Sequence, residues 1–286
     1  MKKRTTYLMF LSMFVLSVSP ALAQQRETPP VSFNKISDRL YKVQGGSGAA
    51  GGVYIGDDSV IVIDAKMDEA SQKAVFEKIA ALTDKPIKYL VNTHSDGDHI
   101  NGNMYFPGTA TIIAHENCRK EFLLPGRNGE DSQWNSPERA PFVPSVTFTD
   151  EMAIYPGGQK VALLYYGIGH TTGDAVLYFA EEKTAFIGDM VFLGRAQLIH
   201  SYKDGNSFKY VTTITDMLRS IDADKFFTGH SSMVTRAQIE THVEQMKQRQ
   251  AKVKALAAQN KTLAQIQSEF EDNDSGLIET IYNELK

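Results

Sequence analysis

Short apolar runs separated by turn residues dominate the first 230 residues of the chain. Several runs are continuous rather than alternating, as at 60–63, which predicts strands buried on both faces of a sheet. Turn signals such as 56–58 (Gly-Asp-Asp) and 156–158 (Pro-Gly-Gly) separate neighbouring runs. The predicted strands cover residues 40–43, 53–55, 60–64, 87–92, 111–114, 146–149, 152–155, 161–166, 176–180, 184–187 and 226–228, the last of these being the final strand.

Apolar residues at helical spacing predict a helix over Glu69–Leu82, with Asp68 as its N-cap. Further helices are predicted over 116–123 and 207–221. Strands interspersed with helices indicate an α/β fold with a mixed sheet.

The C-terminal part of the chain is predicted to be helical. Thr235 with Gln238 and Thr262 with Gln265 match the capping-box pattern at helix starts. The first of these helices should end near Asn260, a residue type common at helix C-termini. Its Gln- and Lys-rich faces are predicted to be solvated, and His242 with them.

The stretch 93–99 carries two imidazoles and two carboxylates, contributed by His94, Asp96, Asp98 and His99. It follows the predicted strand 87–92, so these side chains lie where a buried strand ends and a loop begins, a usual place for a site on an α/β sheet. Imidazole nitrogen and carboxylate oxygen are ligands that zinc and iron accept. The alternative is a solvated turn with two surface histidines.

Three further strand ends carry residues of the same type. His170 follows the run 161–166, Asp189 follows 184–187 and His230 follows 226–227. Each ligand-type residue comes after a small residue that follows the strand. Four strand ends of this kind predict that His and Asp side chains meet at one edge of a sheet.

In order and spacing the four motifs resemble the metallo-β-lactamase superfamily, over a domain of about residues 33–245. The family's first motif is usually H-x-H-x-D-H. Here Asp96 stands at the second histidine, which gives the variant H-x-D-x-D-H. The resemblance implies an αββα sandwich of two mixed β-sheets flanked by helices.

The resemblance also implies the ligand set. One metal would be held by His94, Asp96 and His170, the other by Asp98, His99 and His230, and Asp189 would bridge them. The implied cofactor is zinc, two ions per chain, with iron or manganese as alternatives. Two such ions lower the pKa of a shared water, so that hydroxide is available at neutral pH. Asp98 would be both a ligand and the catalytic acceptor that orients the nucleophile.

Asp96 changes the expected charge of the first site. A carboxylate is anionic and an imidazole is neutral, so Asp96 should raise the pKa of bound water and favour harder ions such as iron or manganese. On this view Asp96→His should restore the common site and raise zinc occupancy. Alternatively, Asp96 leaves the first site weak and one metal suffices.

Three functions follow from these residues. The first is an exported hydrolase that uses a metal-bound hydroxide on a small ester, thioester, lactone or amide. β-Lactamase activity of the class B type is ranked below it, because the resemblance associates a bridging aspartate such as Asp189 with other branches of the superfamily. The second is a non-haem iron redox protein resembling the flavodiiron or persulfide dioxygenase branches. The third is a protein that only binds metal.

Two loops are candidates for substrate binding. The Gly-rich stretch 45–52 lacks the Gly-Lys-Ser/Thr ending of a phosphate-binding loop and is interpreted as a hairpin loop or as a flap near the site. Residues 125–145 contain four prolines and the single tryptophan, Trp134, and show no periodicity. They form either a lid beside the metals or a surface excursion.

The composition of the N-terminus predicts an export signal. This segment has a basic start at 2–4, an apolar core and the small residues Ala21-Leu22-Ala23. These features predict a signal peptide over residues 1–23, cleaved after Ala23, and therefore a secreted or periplasmic protein. An uncleaved membrane anchor is the alternative. Residues 24–32 are interpreted as a flexible lead. Stable membrane insertion is not expected.

The composition indicates which classes of binding partner to expect. The net charge of −4, without a basic stripe, argues against nucleic acid as a partner and favours a small-molecule substrate. Cys118 is the single cysteine, which excludes an intrachain disulfide, and it is interpreted as structural. Residues 246–286 are predicted to form a helical extension packed on or beside the domain, with a homodimer contact through these helices left open.

Overall fold

The computed structural model describes residues 28–126, 129–271 and 274–286. The predicted signal peptide lies outside them. The first sheet contains seven strands in chain order: β1 (Ser32–Lys35), β2 (Leu40–Gln44), β3 (Gly51–Ile55), β4 (Val60–Ile63), β5 (Ile87–Val91), β6 (Thr111–His115) and β7 (Val146–Phe148). Strands β1 to β4 are antiparallel neighbours, whereas β4 to β7 run parallel, so the sheet is mixed.

The second sheet contains six strands, in the order β13-β12-β11-β10-β9-β8. They are β8 (Glu151–Ile154), β9 (Val161–Tyr165), β10 (Ala175–Phe179), β11 (Thr184–Phe186), β12 (Lys225–Phe227) and β13 (Val234–Thr235). The pair β11–β12 is parallel and the other pairs are antiparallel.

Seven α-helices connect and cover the sheets in the described residues: α1 (Glu69–Leu82), α2 (Gly97–Ile100), α3 (Glu116–Phe122), α4 (Ser207–Ser220), α5 (Arg236–Ala258), α6 (Leu263–Gln267) and α7 (Ser275–Glu284). Asp68 caps α1 by accepting a hydrogen bond from the amide of Ser71, as its position predicts. Thr235 and Thr262 form the two capping boxes, and Asn260 has the left-handed backbone typical of a helix end.

The core explains why apolar runs in the strands are continuous. In β4, Ile61 and Ile63 pack between the two sheets, while Val60 and Val62 pack against α1. The outer face of the second sheet is covered by α4, α5 and α7 through one large apolar cluster. Two mixed sheets therefore pack face to face with helices outside, which confirms the predicted αββα sandwich.

Three structural details refine the sequence predictions. The strand at 226–228 is not the final one, because Val234–Thr235 adds an edge strand to β12. Helix α5 continues through residue 245, so no element ends at the proposed boundary between domain and extension. The described end of the 24–32 lead is attached to the fold, since Val31 is buried and the carbonyl of Pro29 accepts a hydrogen bond from the amide of Gly46.

In the described part of the chain, no helix combines the length and the apolar character needed to cross a bilayer.

Candidate metal centre

Four strand ends deliver the predicted ligands to one edge between the two sheets. His94 and Asp96 follow β5, and Asp98 and His99 lie in the short helix α2. The other three residues follow strands of the second sheet. They are His170 after β9, Asp189 after β11 and His230 after β12. All seven side chains predicted as ligands belong to two adjacent clusters, although which of them bind metal stays a prediction.

The first cluster consists of His94, Asp96, His170 and Asp189, whose potential ligand atoms all lie within 4.8 Å of one another. Asp96 Oδ2 is 3.6 Å from His94 Nε2 and 3.2 Å from His170 Nε2. The cluster is deeply buried, because the side chains of His94, His170 and Asp189 are at most 3% exposed. Its donor set of two imidazoles and two carboxylates suits a zinc or iron ion.

The second cluster consists of Asp98, His99 and His230. Asp98 Oδ2 lies 3.0 Å from His230 Nε2 and 4.0 Å from His99 Nε2. His99 is buried, whereas the side chains of Asp98 and His230 are 29% and 32% exposed. This half of the centre therefore faces solvent, and a substrate can reach it.

Asp189 lies between the clusters. Its Oδ1 is 3.2 Å from His99 Nε2, and its Oδ2 is 3.1 Å from His230 Nε2 and 3.9 Å from His94 Nε2. One carboxylate thus faces imidazoles from both clusters, which is the arrangement that a bridging ligand requires.

Buried polar atoms without partners test whether a metal fits. Four such side-chain atoms occur in the described residues, and three belong to this centre: His94 Nε2, His99 Nε2 and Asp189 Oδ1. Buried polar groups are normally hydrogen-bonded, because leaving them unpaired costs about 1–3 kcal/mol each. All three lie where the two clusters meet, around the carboxylate of Asp189, and this placement fits metal ligation.

The electrostatics of the centre also favour cations. Burial would raise the pKa of Asp96, but hydrogen bonds from His170 and His200, together with the nearby His94 imidazole, outweigh burial and hold this pKa well below its usual range. Hydrogen bonds to Asp189 and Asp98 raise the pKa of His230 to about 9. Carboxylates that attract protons onto neighbouring imidazoles attract metal ions in the same way.

Asp64 supports the second cluster, a role that its sequence context did not indicate. Its Oδ2 lies 2.8 Å from His99 Nδ1, so it orients the ring whose Nε2 points into the centre. The same carboxylate accepts hydrogen bonds from the amide and hydroxyl of Thr93, next to His94. A carboxylate behind a ligating histidine fixes its tautomer and orientation. The available signal was its position at the end of a strand, which the predicted ligands share.

His200 and Lys203 are two further residues for which the sequence pattern indicated no role. His200 Nε2 is 2.7 Å from Asp96 Oδ2, and Lys203 Nζ is 2.7 Å from Asp96 Oδ1. Both side chains are buried. They lie in an irregular segment between Asp189 and α4, where no periodicity indicated burial.

Gly229 shows why a small residue precedes His230. A Cβ atom at this position would lie 2.3 Å from Asp189 Oδ1 and 2.5 Å from His99 Cε1. The backbone thus approaches two candidate ligands more closely than any side chain allows.

A cavity of about 420 Å³ opens beside the centre. Asp96, Asp98, His200 and Lys203 line it on the metal side, and Trp134 lines it from the 125–145 segment. The 45–52 loop contributes no lining residue. Backbone hydrogen bonds attach this loop to the metal-centre loops, because the amides of Ala49 and Ala50 donate to the carbonyls of Asp98 and Gly229.

The remaining histidines and the cysteine lie outside the clusters. His242 is buried rather than solvated, with Nε2 2.9 Å from the Tyr210 hydroxyl, so the prediction for it was wrong. The polar composition of α5 concealed one apolar face. His115 ends β6 and stacks on Tyr165, and Cys118 is fully buried in an apolar cluster.

Comparison with known proteins agrees with this geometry. The model of the family described as the metallo-beta-lactamase superfamily matches residues 47–230. Among curated proteins, the chain is 26% identical over 194 residues to the 2,4-dinitroanisole O-demethylase subunit alpha of Nocardioides sp. strain JS1661. That match covers 66% of this chain but only 54% of the relative. It is also 26% identical over 187 residues to the metallo-beta-lactamase type 2 of Elizabethkingia meningoseptica, covering 60% of this chain and 70% of the relative.

Solved structures show the same fold. A metallo-beta-lactamase from Pontibacter korlensis aligns with a TM-score of 0.63 at 17% identity, covering 76% of this chain and 99% of that one. The DIM-1 metallo-beta-lactamase aligns with a TM-score of 0.64 at 15% identity, covering 78% and 99%. At these identities the likeness concerns the fold.

Proposed function

We propose that this enzyme is exported and hydrolyses a small ester, thioester, lactone or amide with two zinc ions. The chain belongs to the metallo-beta-lactamase superfamily and is a metallo-hydrolase of it. The observation that carries the proposal is the convergence of His94 Nε2, His99 Nε2 and Asp189 Oδ1, which are buried without hydrogen-bond partners. His94, Asp96 and His170 would hold one ion, Asp98, His99 and His230 the other, with Asp189 shared.

The chain's own residues support hydrolysis beside the second cluster. Bound divalent ions would supply Lewis acidity and lower the pKa of a water molecule towards neutrality. Asp98 is the candidate catalytic residue, because it lines the cavity and its carboxylate is more exposed than those of Asp96 and Asp189. It can accept a hydrogen bond from the attacking water and so orient it. A cavity of about 420 Å³ suits a small substrate.

The test combines metal content with turnover. The purified mature protein is analysed for zinc, iron and manganese, and then assayed with ester, thioester, lactone, amide and β-lactam substrates. The names of the relatives add 2,4-dinitroanisole to this panel. About two zinc ions per chain and zinc-dependent hydrolysis of one carbonyl substrate are expected. Iron with oxygen-dependent turnover would establish the redox alternative, and tight metal without turnover would establish a protein that only binds metal.

β-Lactam hydrolysis is the second candidate, favoured by the match to the metallo-beta-lactamase of Elizabethkingia meningoseptica. We rank it lower because Asp189 faces imidazoles of both clusters, and a bridging aspartate at this position resembles other branches of the family. Efficient nitrocefin or carbapenem hydrolysis, with esters and lactones inert, would reverse this ranking.

Export rests on the sequence of residues 1–23. The test is fractionation of cells that express the full chain or a chain lacking residues 2–23. Export predicts that the full chain yields a protein beginning at Gln24 outside the cytoplasm, whereas the shortened chain stays inside. A full chain that keeps its N-terminus would refute cleavage.

A further inference from the structure

Asp96 is paired with a buried lysine. Lys203 Nζ lies 2.7 Å from Asp96 Oδ1 and also donates to the hydroxyl of Ser95 at 2.7 Å. The lysine side chain is only 8% exposed. A buried ammonium needs an anionic partner, because removing an unpaired charge from water costs several kcal/mol.

The two oxygens of Asp96 face different groups. Oδ1 is bound by Lys203, whereas Oδ2 faces His94, His170 and His200. A cation in the first cluster would therefore meet Oδ2. By binding Oδ1, the lysine determines that Oδ2 of Asp96 faces the first cluster.

The backbone fixes Lys203 relative to the cluster. It ends the 3₁₀ turn Ser201–Lys203, whose N-cap His200 donates its amide to the carbonyl of His170 at 2.8 Å. The amide of Gly205 donates to the carbonyl of His200 at 3.0 Å and closes the loop. The segment that carries the ammonium is thus attached directly to a predicted ligand.

We propose that Asp96 and Lys203 act as one electrically neutral unit in place of the second histidine of the usual motif. Lys203 is then a positioning residue for the first metal. The negative charge that Asp96 adds is offset locally, so the expected preference for iron or manganese does not follow. The inference rests on the proposed binding of metal in the first cluster.

The pairing reverses the expectation for Asp96→His. This substitution leaves the Lys203 ammonium facing an imidazole and a metal ion, so it should weaken zinc binding in the first cluster at least tenfold. Adding Lys203→Met removes the unpaired charge, so the double variant should regain most of the lost affinity. If Lys203 were merely structural, its removal would add a further loss instead.

The experiment is a double-mutant cycle in zinc affinity, measured by competition with a chromophoric chelator on the metal-stripped full mature chain. It compares the natural protein with Asp96→His, Lys203→Met and the double variant, and the second cluster is the internal reference. Lys203→Arg keeps the positive charge and should bind zinc within about threefold of the natural protein. Lys85→Met is the control for removal of a lysine away from the centre. Its ammonium donates to the carbonyl of Gly56, which precedes β4, whereas Asp64 and the metal centre lie at the end of that strand.

Thermal unfolding checks that each variant folds. If Asp96→His does not fold, Asp96→Asn removes the same charge with less change in volume and should also be rescued by Lys203→Met. A natural protein that binds at most one zinc at saturation would overturn the proposed two-ion function. Two bound zinc ions, with a double variant no better than Asp96→His, would leave that function standing and refute the pairing.

Discussion

The two halves of the metal centre differ in burial and in the side chains that surround them. The second cluster, Asp98, His99 and His230, follows the usual family pattern and is partly open to solvent. The first cluster, which contains the atypical Asp96, is deeply buried and has two further basic side chains beside it, His200 and Lys203. The chain thus adds contacts at the half where the motif departs from the pattern.

This difference shows how a departure from a motif should be interpreted. A carboxylate at a histidine position changes the charge of a site only if nothing nearby compensates for it. Here the compensating group in our proposal, Lys203, is 107 residues away in sequence. The effect of the substitution therefore depends on tertiary contacts.

Removing Asp189, the carboxylate that lies between the two halves, should have the largest effect. Asp189→Ala takes oxygens from both clusters, so we expect loss of zinc from each and a fall in kcat/KM of about a thousandfold or more, equivalent to roughly 4 kcal/mol. Elemental analysis and kinetics measure this. Asp222→Ala removes a carboxylate that is 77% exposed and should change neither. Loss of zinc from one cluster alone would show that Asp189 is not shared.

Gly229→Ala should damage the second cluster more than the first. The new methyl group would overlap Asp189 Oδ1 and His99 Cε1, so the loop must move. We expect zinc affinity in the second cluster to fall about a hundredfold, equivalent to roughly 3 kcal/mol. Gly108→Ala is the matched control, because nothing lies within 4 Å of its added carbon. Equal zinc titrations for the two variants would contradict the close approach at Gly229.

Asp64→Asn tests whether the carboxylate that holds the His99 ring in place contributes to zinc binding. Asp64 contacts His99 directly but reaches His94 only through Thr93. Zinc binding should weaken about 10–100-fold in the second cluster and less in the first. Zinc titration of both sites measures the two effects, with the exposed Asp58→Asn as control. A uniform loss in both clusters would mean that Asp64 supports the whole loop instead.

His242 gives a reference outside both clusters, where the smallest effect on metal is expected. Burial lowers its pKa to about 4, in contrast to His170 and His230, whose pKa values carboxylates raise to about 9. The unfolded chain binds a proton more readily than folded His242, so its contribution to stability is present above about pH 6.5 and is lost as pH falls towards 4.

In His242→Gln the loss of stability between pH 7 and pH 4.5 should therefore be smaller, by up to about 3 kcal/mol. Urea unfolding of the metal-free proteins at both pH values measures the difference. Zinc affinity at neutral pH should remain unchanged. An identical pH dependence in the two proteins would show that His242 is not buried in its neutral form.

Local patterns in the sequence predicted most of the fold. Continuous apolar runs marked the strands, and Asp68 marked the start of α1, because strand burial and helix capping depend on neighbouring residues. The position of His and Asp at strand ends predicted which side chains would meet. The sandwich itself came from the family resemblance, since periodicity gave only an α/β fold.

The missed residues depend on contacts that the sequence does not show. Asp64 resembled one more polar residue at a strand end, because its partner His99 is 35 positions away. His200 and Lys203 lie in a segment without periodicity, so their burial against Asp96 was not predictable. His242 belongs to a helix whose polar residues outnumber its buried ones, which concealed its contact with Tyr210.

Anomalous diffraction at the zinc edge, from crystals of the zinc-loaded mature protein, tests the central claim most directly, because it reports each half of the centre separately. We expect two peaks of similar occupancy. One should lie about 2 Å from ligand atoms of His94, Asp96 and His170, and the other at similar distances from Asp98, His99 and His230. A single peak in the second cluster, with the Asp96–Lys203 ion pair intact and no metal beside it, would contradict the account.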